Sequence, residues 1–204
     1  SIPEINDIKF GEKRISNPGC YSTAAQLSIA PIKNIINSKV SCVGISGYSG
    51  AGSSPNDKNN PDIIKSSILP YSLTNHTHEK EIKKHCYDKI SFTPHVADFF
   101  RGLLITSHFS LSEKISEPDI INIYSDYYKN NKLIKIQKNP PLIKDVVNTN
   151  YALIGGFSLN DNGSDLVVCC TIDNLLKGAA SQCIQNLNLS FGFDESLSLE
   201  DTFN

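Results

Sequence analysis

Methionine and tryptophan are both missing from the 204 residues. A translated chain of this length normally carries at least an initiator methionine, so the sequence is expected to be a fragment, or a piece cut from a longer precursor. Arginine is nearly missing too. Arg14 and Arg101 are the only two, within a total of 19 basic and 21 acidic residues and a net charge of −2. A nucleic-acid binder would show a basic face rich in arginine, so that class of partner is excluded. No apolar run approaches the ~20 residues that span a bilayer, and no signal-peptide pattern opens the chain; no membrane partner is expected. The six cysteines, at 20, 42, 86, 169, 170 and 183, include no C-x-x-C spacing, which argues against a zinc ribbon or a thioredoxin-type site. An even count in a chain this long without a leader reads as free thiols in a reducing compartment. The N-x-S/T triplets at Asn75, Asn162 and Asn188 are chance products of an Asn- and Ser-rich composition.

What is present suits one domain. The apolar fraction of 39% can fill a core. Residues 21–30 read as a helix, 39–46 as a strand, 46–61 as a glycine-rich loop and 78–86 as a short exposed helix. Strands follow at 89–95 and 102–111, a helix at 117–131, and a strand at 133–138 ended by Pro140 and Pro141. Two strands, 151–159 and 164–173, flank a DNGS turn, and one helix covers 174–189. Strands in succession without a helix between each pair predict an α+β fold: a mixed, largely antiparallel sheet with helices on one face.

Five stretches carry chemistry-bearing residues. In NPGCYSTA, Pro18 and Gly19 turn the chain and Cys20 falls at or near a helix N-cap. Unpaired amides and the helix dipole favour a thiolate there and could hold an oxyanion. Read alone, Cys20 is as well explained as a small buried hydrophobe. In NHTHEKE, His76 and His78 could exchange a proton with a thiol, with Glu81 orienting a ring; alone, this is a surface H-x-H on a polar loop. A zinc site lacks a third ligand at suggestive spacing. SGYSGAG, Ser46 to Gly52, permits close backbone approach to an anion but is not a dinucleotide fingerprint. Arg101 in FFRGLL could clamp a carboxylate or phosphate with its planar fork, or be a solvated strand-end charge. In IDNLLKGAASQ, Asp173 or Asn174 can cap a helix of small residues that packs closely.

These five stretches, in this order, resemble the N-acetyl-gamma-glutamyl-phosphate reductases over nearly the whole chain. NPGCYSTA and FTPHVADFFRG are specific to them; the glycine loop and DNLLKGAA are shared with aspartate-semialdehyde dehydrogenases. The resemblance implies a catalytic and dimerisation domain over 1–204, like the C-terminal domain of glyceraldehyde-3-phosphate dehydrogenase, with the N-terminal Rossmann half missing. A C-terminal helix, 174–190, would pack toward that half. Cys20 would attack the acyl phosphate and form a thioester, with His78 as acid and base. Tyr71, His76 and Glu81 would shape the substrate pocket, and Arg101 would anchor a carboxylate. Ser49 and Gly50 would touch NADP, and Asn174 its nicotinamide amide; no metal is implied. HTHEKE lacks the arginine and proline of the family's usual HRHxPE, and Ser53 stands where an arginine is usual. SGYSGAG and YSLT look like the fungal form, which is released from a precursor shared with acetylglutamate kinase. That form implies a homo-oligomer in the mitochondrial matrix, with the cytoplasm as the alternative. Two rival expectations are an aspartate-semialdehyde dehydrogenase-like reductase and a non-catalytic domain that kept the fold.

Overall fold

In the computed structural model, which describes residues 1–199, turns and extended chain precede the first helix, α1, Cys20–Ile29. Every residue from Tyr21 to Ile29 is buried. A helix wrapped on all sides has no solvent face, which is why its sequence shows no polar stripe. Its buried polar side chains are satisfied at short range. Thr23 Oγ1 donates to Gly19 O at 3.1 Å, Gln26 Nε2 to Ser22 Oγ at 2.9 Å and Ser28 Oγ to Ala24 O at 3.0 Å. Its last turn leaves carbonyls without intrahelical partners. Tyr128 OH donates to Leu27 O at 2.8 Å, and Tyr124 OH donates to Ser28 O.

Beyond α1 the order is β1 (Val40–Gly47), α2 (Pro61–Ile64), β2 (Ile68–Pro70), α3 (Thr77–His85), β3 (Ile90–Ala97), β4 (Leu103–Ser110), α4 (Glu117–Tyr128), β5 (Ile134–Ile136), β6 (Ala152–Leu159), β7 (Asp165–Ile172) and α5 (Ser181–Ser190). The strands form one seven-stranded sheet in the order β2-β3-β1-β4-β7-β6-β5. The pairs β1–β3 and β5–β6 are parallel and the remaining neighbours antiparallel. The mixed, largely antiparallel sheet expected from the sequence is the one observed.

Burial alternates along β1, β3 and β4. Cys42, Phe92, Leu103, Ile105, Val168 and Ile172 point to the face on which α1 lies, across β4 and β7. Each of these large apolar side chains contributes about 1.5–3 kcal/mol by leaving water, so α1 is held as part of the core. Val43, Ile45, His95, Leu104, Thr106 and Val167 are half-exposed on the opposite face. Among the described residues no helix is long and apolar enough to cross a membrane.

Two expectations change in detail, and one strand was not expected. The region 174–189 is not one helix. Gly178 N bonds to Asp173 O at 2.9 Å and Ala180 N to Leu175 O at 3.0 Å, so Leu176–Ala180 is a wide π turn before α5. The glycine-rich loop contains short 3-10 turns at Tyr48–Ala51 and Asp57–Asn59. The edge strand β2 has only three residues and ends at Pro70, too short for alternation to reveal.

Candidate functional site

Cys20 is the first residue of α1, and the cap position belongs to Gly19, which supplies no side-chain cap. Glu81 on α3 fills that role in part, its Oε2 accepting from Gly19 N at 3.0 Å. Gly19 is there for close approach. A Cβ at this position would lie 1.9 Å from His78 Nε2, so only glycine admits the imidazole beside the nucleophile. On the other side a Cβ at Gly178 would lie 2.6 Å from Cys20 Cβ. The thiol is thus held between the start of α3 and the π turn.

The electrostatics of this pair differ from the expectation. Burial pushes the Cys20 thiol up to about 11. The N–H groups of Tyr21 and Cys20 pull it down and the Glu81 carboxylate pushes it up, but both effects are smaller than burial. The lowered value expected at a helix N-terminus is therefore overruled by desolvation. His78 is lowered, again chiefly by burial, with Glu81 opposing. A neutral thiol thus faces a neutral imidazole, not a standing thiolate–imidazolium pair. His78 Nδ1 is buried without a hydrogen-bond partner among the described residues.

His76 does different work. Its Nδ1 accepts from His78 N at 3.1 Å and caps α3, which fixes the ring with its proton on Nε2. Burial first, then His78 and Lys58, lower it to about 4. The His76 ring lies 4.7 Å from that of His78 and 5.6 Å from that of Tyr71. Burial pushes the Tyr71 phenol up to about 12, and the neighbouring Tyr21 OH donates to His95 O at 2.6 Å. Cys20, His76, His78, Tyr71 and Glu81 therefore form one cluster, with Glu81 turned to the backbone of Gly19.

Ser49, Gly50, Asn174 and Arg101 form a second cluster. Backbone bonds from Gly47, Tyr48 and Ser49 to residues 99–102 zip the glycine loop to the start of β4. Asn174, 3% exposed, receives Gly102 N on Oδ1 at 2.7 Å and donates from Nδ2 to Ser49 Oγ at 3.0 Å. Arg101 pairs through Nε with fully buried Asp173 at 2.7 Å and donates to Asn148 Oδ1 at 2.6 Å. Asp173 also accepts from the amides of Leu175, Leu176 and Asn148. Ser46 borders the second cluster: its Oγ donates to Gly47 O at 3.0 Å and lies 3.0 Å from where a Gly50 Cβ would stand. Beside Ser49 an open groove of about 690 Å³ is lined by Tyr48, Phe100 and residues of the 52–61 loop. Among the described residues no three His, Cys, Asp or Glu side chains converge as a metal site.

Sequence reasoning missed a buried ion pair behind the site. Lys177 Nζ donates to Glu4 Oε1 at 2.6 Å and to Gln185 Oε1 at 2.5 Å, and both charged side chains are fully buried. Asn17 Nδ2 donates to Ala179 O, and Asn186 Nδ2 to Ser1 O and Asn17 Oδ1. Lys177, Gly178 and Ala179 thus grip Glu4, Cys20 and Asn17 in succession. The one available signal was a lysine amid small and apolar residues in LLKGAA.

Comparison with known proteins follows the same lines. A family model described as semialdehyde dehydrogenase, dimerisation domain, matches residues 20–174. A mitochondrial protein of Candida albicans is 47% identical over 95% of this chain and 23% of its own length. A mitochondrial protein of Schizosaccharomyces pombe is 44% identical, over 95% and 22%. The N-acetyl-gamma-glutamyl-phosphate reductase of Stenotrophomonas maltophilia is 42% identical, over 97% and 63%. The chain thus spans under two thirds of these relatives. The crystal structure of aspartate semialdehyde dehydrogenase II of Vibrio cholerae, complexed with ASA, superposes with a TM-score of 0.68 at 16% identity, over 86% of this chain and 61% of that one; this likeness is one of fold. The match across 20–174, which runs from Cys20 to Asn174, places the chain in the semialdehyde dehydrogenase dimerisation-domain family.

Proposed function

We propose that the chain is the catalytic and dimerisation part of an NADP-dependent N-acetyl-gamma-glutamyl-phosphate reductase of arginine biosynthesis. The observation that carries this reading is the placement of Cys20 at the start of α1 with His78 pressed against Gly19. Cys20 Sγ attacks the acyl carbon as its proton passes to His78, so no standing thiolate is required. The Tyr21 and Cys20 amides, already directed at sulfur, receive the oxyanion. The carbon–oxygen bond to phosphate breaks, His78 returns its proton to the departing phosphate, and a thioester remains on Cys20. A bound reduced nicotinamide supplies the hydride that this thioester accepts. The resulting thiohemiacetal oxyanion expels sulfur, which regains a proton from solvent through His78, and the semialdehyde leaves.

The residues present fit the nicotinamide end of that cofactor. Asn174 retains one amide hydrogen and Ser49 its hydroxyl hydrogen for a carboxamide. Glycine at 50 keeps the backbone against Asn174, 3.3 Å from where a Cβ would stand. The groove beside them is lined by Asp57 and by no lysine or arginine, so the cofactor phosphates are gripped by other groups. Arg101 acts through Asp173 and Asn148, bracing Asn174. The exposed face of α5, with Ile184 and Leu187, is assigned to contact with the part of the longer relatives that this chain does not span. A second copy covers the half-exposed sheet face. The relatives named as mitochondrial support a matrix location, and the same reading extends to association with an acetylglutamate kinase made from a shared precursor. The chain by itself turns over little or nothing.

The deciding assay uses the full-length protein that contains this chain. It oxidises N-acetylglutamate semialdehyde with NADP and phosphate at least ~100-fold better than aspartate semialdehyde, and Cys20→Ser abolishes turnover. The reverse preference, or an active Cys20→Ser enzyme, refutes the assignment.

A further inference from the structure

The substrate of the proposed reaction is anionic at both ends, with a phosphate on the reacting carbon and a carboxylate on the amino-acid carbon. The phosphate end belongs beside Cys20 and His78. The Tyr71 ring lies 5.6 Å from that of His76, and the His76 ring 4.7 Å from that of His78, so a cation beside Tyr71 is a candidate for the carboxylate end. Arg101, the expected anchor, is held by buried Asp173 through Nε and by Asn148 through Nη1.

Lys58 is placed differently. It lies in the 3-10 turn Asp57–Asn59. Asn56 Oδ1 accepts from Lys58 N at 3.0 Å, and Asn56 N donates to Asn59 Oδ1 at 2.9 Å. Asn59 Nδ2 donates to Gly52 O and Ser54 O, both at 2.9 Å. Four side-chain bonds thus brace a turn that would otherwise be free loop. The turn carries Lys58 Nζ to 4.9 Å from the Tyr71 ring centroid, a cation–π position. Among the described residues no carboxylate pairs with it. Its charge is among the causes that lower His76, and the Tyr71 ring beneath it lies 5.6 Å from the His76 ring.

We propose that Lys58, braced over the Tyr71 ring by the Asn56–Asn59 turn, binds the substrate carboxylate. The assignment rests on the acyl-phosphate reductase reading. Tyr71 forms the wall between the two substrate ends, and Lys58 sets how long a carboxylate-bearing chain the pocket accepts.

The test uses the full-length enzyme in the oxidative direction, with Lys58→Met, Lys58→Arg and wild type compared for N-acetylglutamate semialdehyde, its α-methyl ester and aspartate semialdehyde. Lys58→Met is expected to raise KM for the acid at least ~10-fold, with kcat and the KM of phosphate and NADP within about twofold. Lys58→Arg recovers most of the loss, and the methyl ester is handled equally by wild type and Lys58→Met. An unchanged KM for the acid overturns the proposal. So does a change that moves the phosphate KM instead, or an equal loss with the ester. If aspartate semialdehyde is the better substrate, the functional reading fails while the same comparison on that acid still judges Lys58. Turnover of neither semialdehyde overturns both.

Discussion

Gly19 shows how a residue with no side chain decides the chemistry. Its φ of −70° is open to any amino acid, so conformational freedom is not the reason for glycine here. The reason is the His78 ring, whose Nε2 occupies the place a Cβ would take. Gly19→Ala in the full-length enzyme must push the imidazole off the nucleophile. The expected result is a kcat reduced about 10²–10⁴-fold, the range that general acid–base catalysis supplies, with KM little changed; a kcat near wild type would show that His78 is not the proton carrier. The thiol gives a second prediction. With its value pushed up to about 11 by burial, Cys20 in the free chain is protonated at neutral pH. Its iodoacetamide alkylation, followed by peptide mass spectrometry, should climb about tenfold per pH unit from 7 to 10. A plateau reached below pH 9 would instead reveal a thiolate. At this scale the sequence was readable in part. NPGC and H-x-H named the reacting groups, since turn and nucleophile are neighbours in the chain. The sign of the thiol's shift was not readable, because it depends on how much protein closes over the helix start.

The π turn at Leu176–Ala180 is the element that carries most of the unforeseen structure. Its wide turn presses Gly178 onto Cys20, and Lys177 goes inward to Glu4. Replacing Lys177 by Met leaves the Glu4 carboxylate buried without its cation, and Glu4 Oε2 already lacks a hydrogen bond. The expected loss is about 3–5 kcal/mol in urea unfolding. Replacing both partners, Lys177→Met with Glu4→Leu, should recover most of it, because two apolar groups leave no buried charge. If the single and double variants lose equal stability, the pair is not what holds the N-terminal segment. Helix and strand positions were legible wherever burial alternates along one element, as in β1, β3 and β4. A π turn and a three-residue edge strand such as β2 have no periodicity to read; contacts with Cys20 and with β3 define them.

At the scale of the whole molecule, the α+β class followed from the run of strands, but the strand order did not. β1 pairs parallel with β3 and antiparallel with β4, and such long-range pairing leaves no local mark. The same long-range closure makes stability depend on pH through His76. Folding buries this ring between His78, Tyr71 and Phe92 and lowers it to about 4, whereas an unfolded histidine titrates near 6.5. Above about pH 6.5 the ring is neutral in both states and contributes no pH dependence. As pH falls toward 4, the unfolded chain takes up a proton that the folded one refuses, so stability is lost progressively across that window. His78 is lowered too and adds in the same direction. Carboxylates contribute their own acid sensitivity, so the informative quantity is the difference between wild type and His76→Gln. The variant starts from a lower urea midpoint at pH 7, having changed the cap of α3, but its midpoint should decline less between pH 6.5 and 4.5. Two parallel curves over that interval would mean that His76 is protonated in the folded protein as readily as in the unfolded chain, and that the pocket around Tyr71 is open to water.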